Sequence, residues 1–149
     1  MKKTKIQPMA LFFAICQLPF SGAWAYNQTL AYDELPQRSM DFIEQNFPDE
    51  YVMTVFKERD FIETRYNVYL SDDTNIEFFK NGDWKEINCK NSKVPDEFIP
   101  QEILERIEQM YSDAIIVSID RDNHEYDIEL SNGVDMTFDK KFNLTDFDD

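Results

Sequence analysis

The strongest constraint on the fold is that most of the chain is written twice. LPQRSMDFIEQNFPDE, from Leu35, lies beside IPQEILERIEQMYSDA, from Ile99, and pairs Pro36/Pro100, Gln37/Gln101, Ile43/Ile107, Glu44/Glu108, Gln45/Gln109 and Asp49/Asp113 at an offset of 64. YNVYLSDDTNIEFFKNGDW then lies beside YDIELSNGVDMTFDKKFNL at an offset of 60, pairing Tyr66/Tyr126, Leu70/Leu130, Ser71/Ser131, Phe78/Phe138 and Lys80/Lys140. The change of four residues predicts a longer first hairpin in the first half, Arg59 to Arg65, with Phe61 and Ile62 near its tip. Self-similarity on this scale means one supersecondary unit used twice.

Each unit opens on a helix. Pro36 and Pro100 are expected in the first helical turn, where a missing N–H costs nothing. Met40, Ile43 and Phe47 recur at helical spacing in the first unit, as do Ile103, Leu104, Ile107, Met110 and Tyr111 in the second, and Pro48 stops the first helix. The period then switches to two: Tyr66, Val68 and Leu70; Tyr126, Ile128 and Leu130; Val134, Met136 and Phe138. Asn132-Gly133 is a two-residue hairpin turn, Asp72-Asp73 stands in its place in the first unit, and Asn81-Gly82 marks the next reversal. Fourth strands are expected at Trp84 to Ile87 and Leu144 to Phe147.

The fold class that follows is α+β: a helix and four antiparallel strands, repeated, forming an eight-stranded sheet with both helices on one face. The segments are a leader at 1–25, an extension at 26–34, a first unit at 35–90, a linker at 91–98 and a second unit at 99–149. A sheet whose apolar residues point one way leaves its other face open. Strand alternation assigns to that face Val52, Thr54 and Phe56, with Ile116 and Ser118 as counterparts, then Asn67, Tyr69, Asn75 and Glu77, and Asp127, Glu129, Asp135 and Thr137. It is either a solvated surface or a docking surface for a protein or peptide of basic or polar character, since interfaces enrich aromatic residues among oriented charges.

Charge sharpens that choice. The chain carries 15 basic and 30 acidic residues, a net of -15, which argues against nucleic acid as a partner. Hydrophobic residues at 42% supply a packed core, so this acidity does not mean disorder. Residues 1–25 read as an export signal: a basic start, an apolar run from Met9 to Phe20 interrupted by Pro19, and Ala23 and Ala25 around Trp24, predicting cleavage between Ala25 and Tyr26. The run is too short to span a membrane. Bulky Ile15 before Cys16 argues against lipoprotein processing at that cysteine. Cleavage removes Lys2, Lys3 and Lys5 and no carboxylate, moving the net charge to -18, and the expected location is periplasmic or secreted. Cys89 is then the one thiol left, without a partner for an intrachain disulfide, and reads as a small buried hydrophobe.

Catalytic signals are lacking. The single histidine, His124, sits in a hairpin with no Ser or Cys placed beside it, and the chain holds no phosphate-cradling glycine loop and no Cys/His metal spacing. The expectation is a protein that is not an enzyme and uses no cofactor. Asp120, Asp122, Asn123 and Asp127 form an oxygen-rich cluster that raises calcium as an alternative. An EF-hand loop from Asp120 requires Gly at 125 and Glu at 131, where the chain has Glu125 and Ser131, leaving only a weak irregular site. The alternative to a binding module is therefore a calcium-responsive or structural envelope protein.

The ordered patterns LPxxxxxFIxxxFPD, YxVxLSxxTxIEF and KNGDWKEINC resemble the PepSY-like family, also described as beta-lactamase-inhibitor-like, small exported proteins best known from Bacteroidetes. The likeness runs from about Leu35 to Phe147. It implies a tandem repeat joined into one curved eight-stranded sheet with the helices on its convex side. Beta-lactamase inhibitory protein has a similar layout and grips an enzyme with its concave face, and peptidase inhibition has been proposed for the related domains of peptidase propeptides. The family as a whole has no established activity. The second unit departs from the first at one turn, with Lys141-Phe142 in the place of Asn81-Gly82.

Overall fold

The computed structural model describes residues 26–59 and 62–148. Residues 1–25, where an export signal with Cys16 and Ala25 is expected, and Phe61 lie outside them. The nine strands are β1 (Tyr26–Leu30), β2 (Val52–Arg59), β3 (Thr64–Leu70), β4 (Asn75–Phe79), β5 (Trp84–Asn88), β6 (Ile116–Arg121), β7 (Glu125–Leu130), β8 (Asp135–Asp139) and β9 (Leu144–Asp148). They form a single antiparallel sheet in chain order. Helices α1 (Gln37–Asn46) and α2 (Gln101–Met110) each follow a short 3-10 turn and precede four strands, so the same series of elements occurs twice.

One apolar row crosses the whole sheet in register: Leu30, Val55, Val68, Ile76, Ile87, Ile119, Ile128, Met136 and Phe147. The seven inner members are buried and form one cluster with Ile43 and Phe47 of α1 and Ile103 and Ile107 of α2. Cys89 belongs to the same cluster, and burial pushes its thiol pKa up, as expected of an unreactive packed cysteine. Pro36 and Pro100 precede the first helical residues instead of occupying the first turn; their carbonyls accept from Ser39 and Met40, and from Ile103 and Leu104.

The sheet has nine strands where eight were expected. In the second unit the outer edge of β6 is filled by β5, with Ile87 opposite Ile119. The corresponding edge of β2 has no preceding unit, and β1 takes it, placing Leu30 opposite Val55. Tyr-Asn-Gln-Thr-Leu carries no alternating apolar signal. It is held by backbone pairing to an otherwise open edge, a tertiary cause that a local pattern does not report.

Four β-bulges set the sidedness of the sheet. Met53 in β2 and Val117 in β6 are extra residues at equivalent positions, as are Lys85 in β5 and Thr145 in β9. A bulge inserts one residue and shifts the alternation that follows. The expectation that Val52 and Ile116 lie on the open face is therefore overturned. Val52 sits opposite Leu70 and Ile116 opposite Leu130, and both pack on the helix side.

The first hairpin is the longer one. Tyr66 faces Lys57 and Tyr126 faces Arg121, but β2 and β3 continue through two further pairs to Arg59 and Thr64, whereas Asp122 N–H closes the second hairpin onto Glu125 O at 3.2 Å. Left-handed turn positions also correspond: Asp73 (φ 70°) with Gly133 (φ 83°), and Gly82 (φ 86°) with Phe142 (φ 63°). Each unit has glycine at one of the two and a larger residue at the other.

Candidate functional site

The open face carries two cross-strand rows. The first reads Thr29, Phe56, Asn67, Glu77, Glu86, Asp120, Asp127, Thr137 and Asp146 from β1 to β9. The second reads Thr54, Tyr69, Asn75, Asn88, Ser118, Glu129, Asp135 and Asp148 from β2 to β9. Neighbouring strands lie about 4.8 Å apart, so consecutive side chains of one row are mutual neighbours.

The two ends of this face differ in chemistry. At the β2–β3 end Phe56 meets Tyr69 edge-on, ring centroids 6.0 Å apart, and the bulge residue Met53 is 62% exposed. From β4 to β9 the rows carry eight carboxylates. A depression of about 330 Å3 lies among Glu86, Asp120, Asp127, Glu129, Asp135 and Thr137. Thr137 Oγ1 donates to Asp127 across it at 2.6 Å.

Two cations lean onto the acidic rows. Lys85, turned to this side by its bulge, places Nζ 2.5 Å from Asp120 and 3.6 Å from Glu77, while Arg65 Nη1 lies 3.1 Å from Glu77. Glu77 is 7% exposed and held between the two of them. Asn67 and Ser118 are likewise buried. The exposed acids are those of β7–β9: Asp127, Glu129, Asp135, Asp146 and Asp148.

Glu86 is the strained member of the row. Burial first, then the charges of Asp120 and Glu77, raise its pKa above the ordinary carboxylate value, against weaker lowering by Lys85 and Asn88. A pKa raised on folding stabilises the protein below the unfolded pKa and is lost as pH rises through the folded one. Glu86→Gln is therefore expected to raise the melting temperature at pH 7 and to give no gain near pH 4, checked by thermal unfolding at both values.

Sequence reading placed eleven residues on this face that lie there: Thr54, Phe56, Asn67, Tyr69, Asn75, Glu77, Ser118, Asp127, Glu129, Asp135 and Thr137. It missed Glu86, Asn88, Asp146 and Asp148, because β5 and β9 do not alternate. The signal was present in the spacing of Trp84 and Ile87, three apart and both buried, which requires a bulge between them. Asp120 was read as part of a calcium cluster, but its oxygens and those of its neighbours point to different partners. Asp120 takes Lys85, Asp127 takes Thr137, and Asp122 accepts from the N–H groups of His124 and Glu125 at 2.6 and 2.9 Å. Among the described residues no three acidic, His or Cys groups gather around one metal position. Nor is any helix among them long and apolar enough to cross a membrane.

Comparison with solved structures gives close matches of fold. A protein of Bacteroides thetaiotaomicron described as a "putative calcium-regulated periplasmic protein" superposes with a TM-score of 0.78 at 36% identity, covering 83% of this chain and 97% of its own. A Bacteroides vulgatus protein described as a "putative periplasmic protein" gives 0.78 at 36% with the same coverage. Another from that organism, described as a "putative periplasmic protein of unknown function", gives 0.79 at 31%, covering 83% of this chain and all of its own. No functionally curated protein matches the chain. The family described as "Putative beta-lactamase-inhibitor-like, PepSY-like" matches residues 64–146, and the chain belongs to it.

Proposed function

We propose that the protein is an exported, non-enzymatic binding module, inhibitor-like in layout, that docks a basic protein or peptide surface on the open face of its sheet. The observation that carries this reading is the pair of in-register rows, which gather carboxylates over β4–β9 and leave an aromatic patch of Phe56 and Tyr69 at the other end. A solvated face has no need of that segregation. Interfaces combine an apolar anchor with oriented charge, and a face of one sign selects and steers partners of the other. Location in the periplasm rests on the description of the structural neighbours and on the leader. Descent of the two halves from one duplicated unit rests on their matched bulges and left-handed turns.

The test is charge reversal at exposed positions. Glu129→Lys, Asp135→Lys and Asp146→Lys together are expected to abolish salt-sensitive capture of a basic partner while leaving the melting temperature within a few degrees. Unchanged capture by a folded triple variant overturns the reading. Glu77 is unsuitable for reversal, because the change would bury a third cation beside Arg65 and Lys85 and cost stability of its own.

A second reading is calcium response, favoured by the description of the Bacteroides thetaiotaomicron neighbour. Asp127, Glu129 and Asp135 line one depression and could close on an ion by side-chain rotation. Millimolar calcium is then expected to raise the melting temperature by several degrees, and an equal response to magnesium or none at all contradicts it. A flat response together with unchanged capture leaves a structural role for the acidity.

A further inference from the structure

The geometry points to an oxyanion-binding pocket at the loop end of the sheet, separate from the acidic face. A cavity of about 510 Å3 lies between the β4–β5 turn, the β6–β7 hairpin and the β8–β9 turn, and three cations line it: Lys80, Arg121 and Lys140. That is one quarter of the basic residues beyond the leader, in a chain with twice as many acids as bases.

Arg121 is the centre of it. The guanidinium lies 3.6 Å above the Trp84 ring, and its Nε and one Nη2 proton donate to Trp84 O at 3.1 and 3.0 Å. A guanidinium has five N–H groups, so three remain. No carboxylate among the described residues approaches it within ion-pair distance, although it is half-buried. A half-buried cation with donors in excess of its acceptors is the arrangement that planar or tetrahedral oxyanions satisfy.

The surrounding charges are committed in a complementary way. The carboxylates of the cavity each have another partner: Asp83 pairs with Arg38 at 2.6 Å while its charge also acts on Arg121 from beyond ion-pair distance, Glu63 pairs with Arg65 at 3.6 Å, and Asp122 accepts from two backbone N–H groups. Lys140 sits 3.9 Å above the Tyr126 ring with one donor on Glu125 O, while Lys80 makes no hydrogen bond or ion pair among the described residues. Lys80 and Lys140 are the repeat-related pair noted in the sequence, here converging on one cavity. The ligand class is a small oxyanion, presented either as free inorganic phosphate or as a carboxylate such as a peptide C-terminus.

The test is titration of the mature protein, followed by the NMR signals of the Arg121 side chain and Trp84 indole, with inorganic phosphate in one arm, an N-acetylated tripeptide in the other and chloride as the spherical control. Saturable shifts in the phosphate or the peptide arm, absent with chloride, are expected, and the responding arm identifies the source. Lys80→Gln with Lys140→Gln, both exposed, is expected to weaken binding about tenfold without loss of fold. Arg121→Lys, which keeps the charge and loses the fork, is expected to weaken it further. Flat titrations in both arms, or shifts equal in the wild type and the double lysine variant, overturn the proposal.

Discussion

Replacing Gly82 by alanine is expected to cost about 3 kcal/mol of stability, against about 1 kcal/mol for Gly133→Ala, although both glycines have φ near +85°. The shared part is backbone strain, since a β-carbon disfavours the left-handed region by about 1–2 kcal/mol. The difference lies in what the new methyl group meets. At Gly133 nothing comes within 4 Å, whereas at Gly82 it would stand 3.0 Å from the β-carbons of both Pro36 and Arg38 and 3.2 Å from Ser39 Oγ. The start of α1 rests directly on this turn, with Ser39 fully buried and its hydroxyl donating to Gly82 O at 3.3 Å. Thermal unfolding should place Gly82→Ala about 10 °C below the wild type and Gly133→Ala only a few degrees below. Equal shifts would mean that the approach of α1 to the β4–β5 turn contributes nothing.

The second large effect is expected at Phe98, which joins the two units. Strands β5 and β6 share only three register pairs, Glu86 with Asp120, Ile87 with Ile119 and Asn88 with Ser118, supplemented by Cys89 N–H to Val117 O and Val94 N–H to Ile116 O. Above this short seam Phe98, in the 3-10 turn before α2, packs on Phe42, Phe47 and Trp84 with ring centroids 5.3, 6.3 and 6.0 Å away. A side chain of the linker between the units thereby completes the core of the first. Phe98→Ala removes all three contacts and is expected to cost about 2–3 kcal/mol, less than full burial would give because the ring is only partly covered. Hydrogen exchange should locate the loss in β5, β6 and α1. Destabilisation confined to the second unit would contradict this role.

The order of elements was legible in the sequence because each strand of a one-sided sheet must alternate, and β3, β4, β7 and β8 do so plainly. Most of what was not legible has one physical source: residues whose place is decided by a neighbouring strand. Tyr26–Leu30 becomes a strand because β2 offers an edge. Val52 and Ile116 turn inward because Met53 and Val117 bulge, and Glu86 and Asp146 turn outward after the bulges at Lys85 and Thr145. The acidic face was therefore foreseen in sign and location but not in extent. Glu77 was foreseen in place but not in its pairing, since its partners Arg65 and Lys85 come from two other strands. The cationic cavity was invisible, because it is assembled from three turns distant in sequence.

In the proposed function the open face, and not the helix side, meets a partner. Site-specific photo-crosslinking in the native cell tests this most directly, with the crosslinker at Glu129 on the open face in one variant and at exposed Glu105 on α2 in the other. The expected result is a single protein adduct from position 129, lost when Asp135 and Asp146 are reversed to lysine, and none from position 105. Adducts of equal yield from the two positions, or none from position 129 in a folded and exported protein, would rule out docking on the open face.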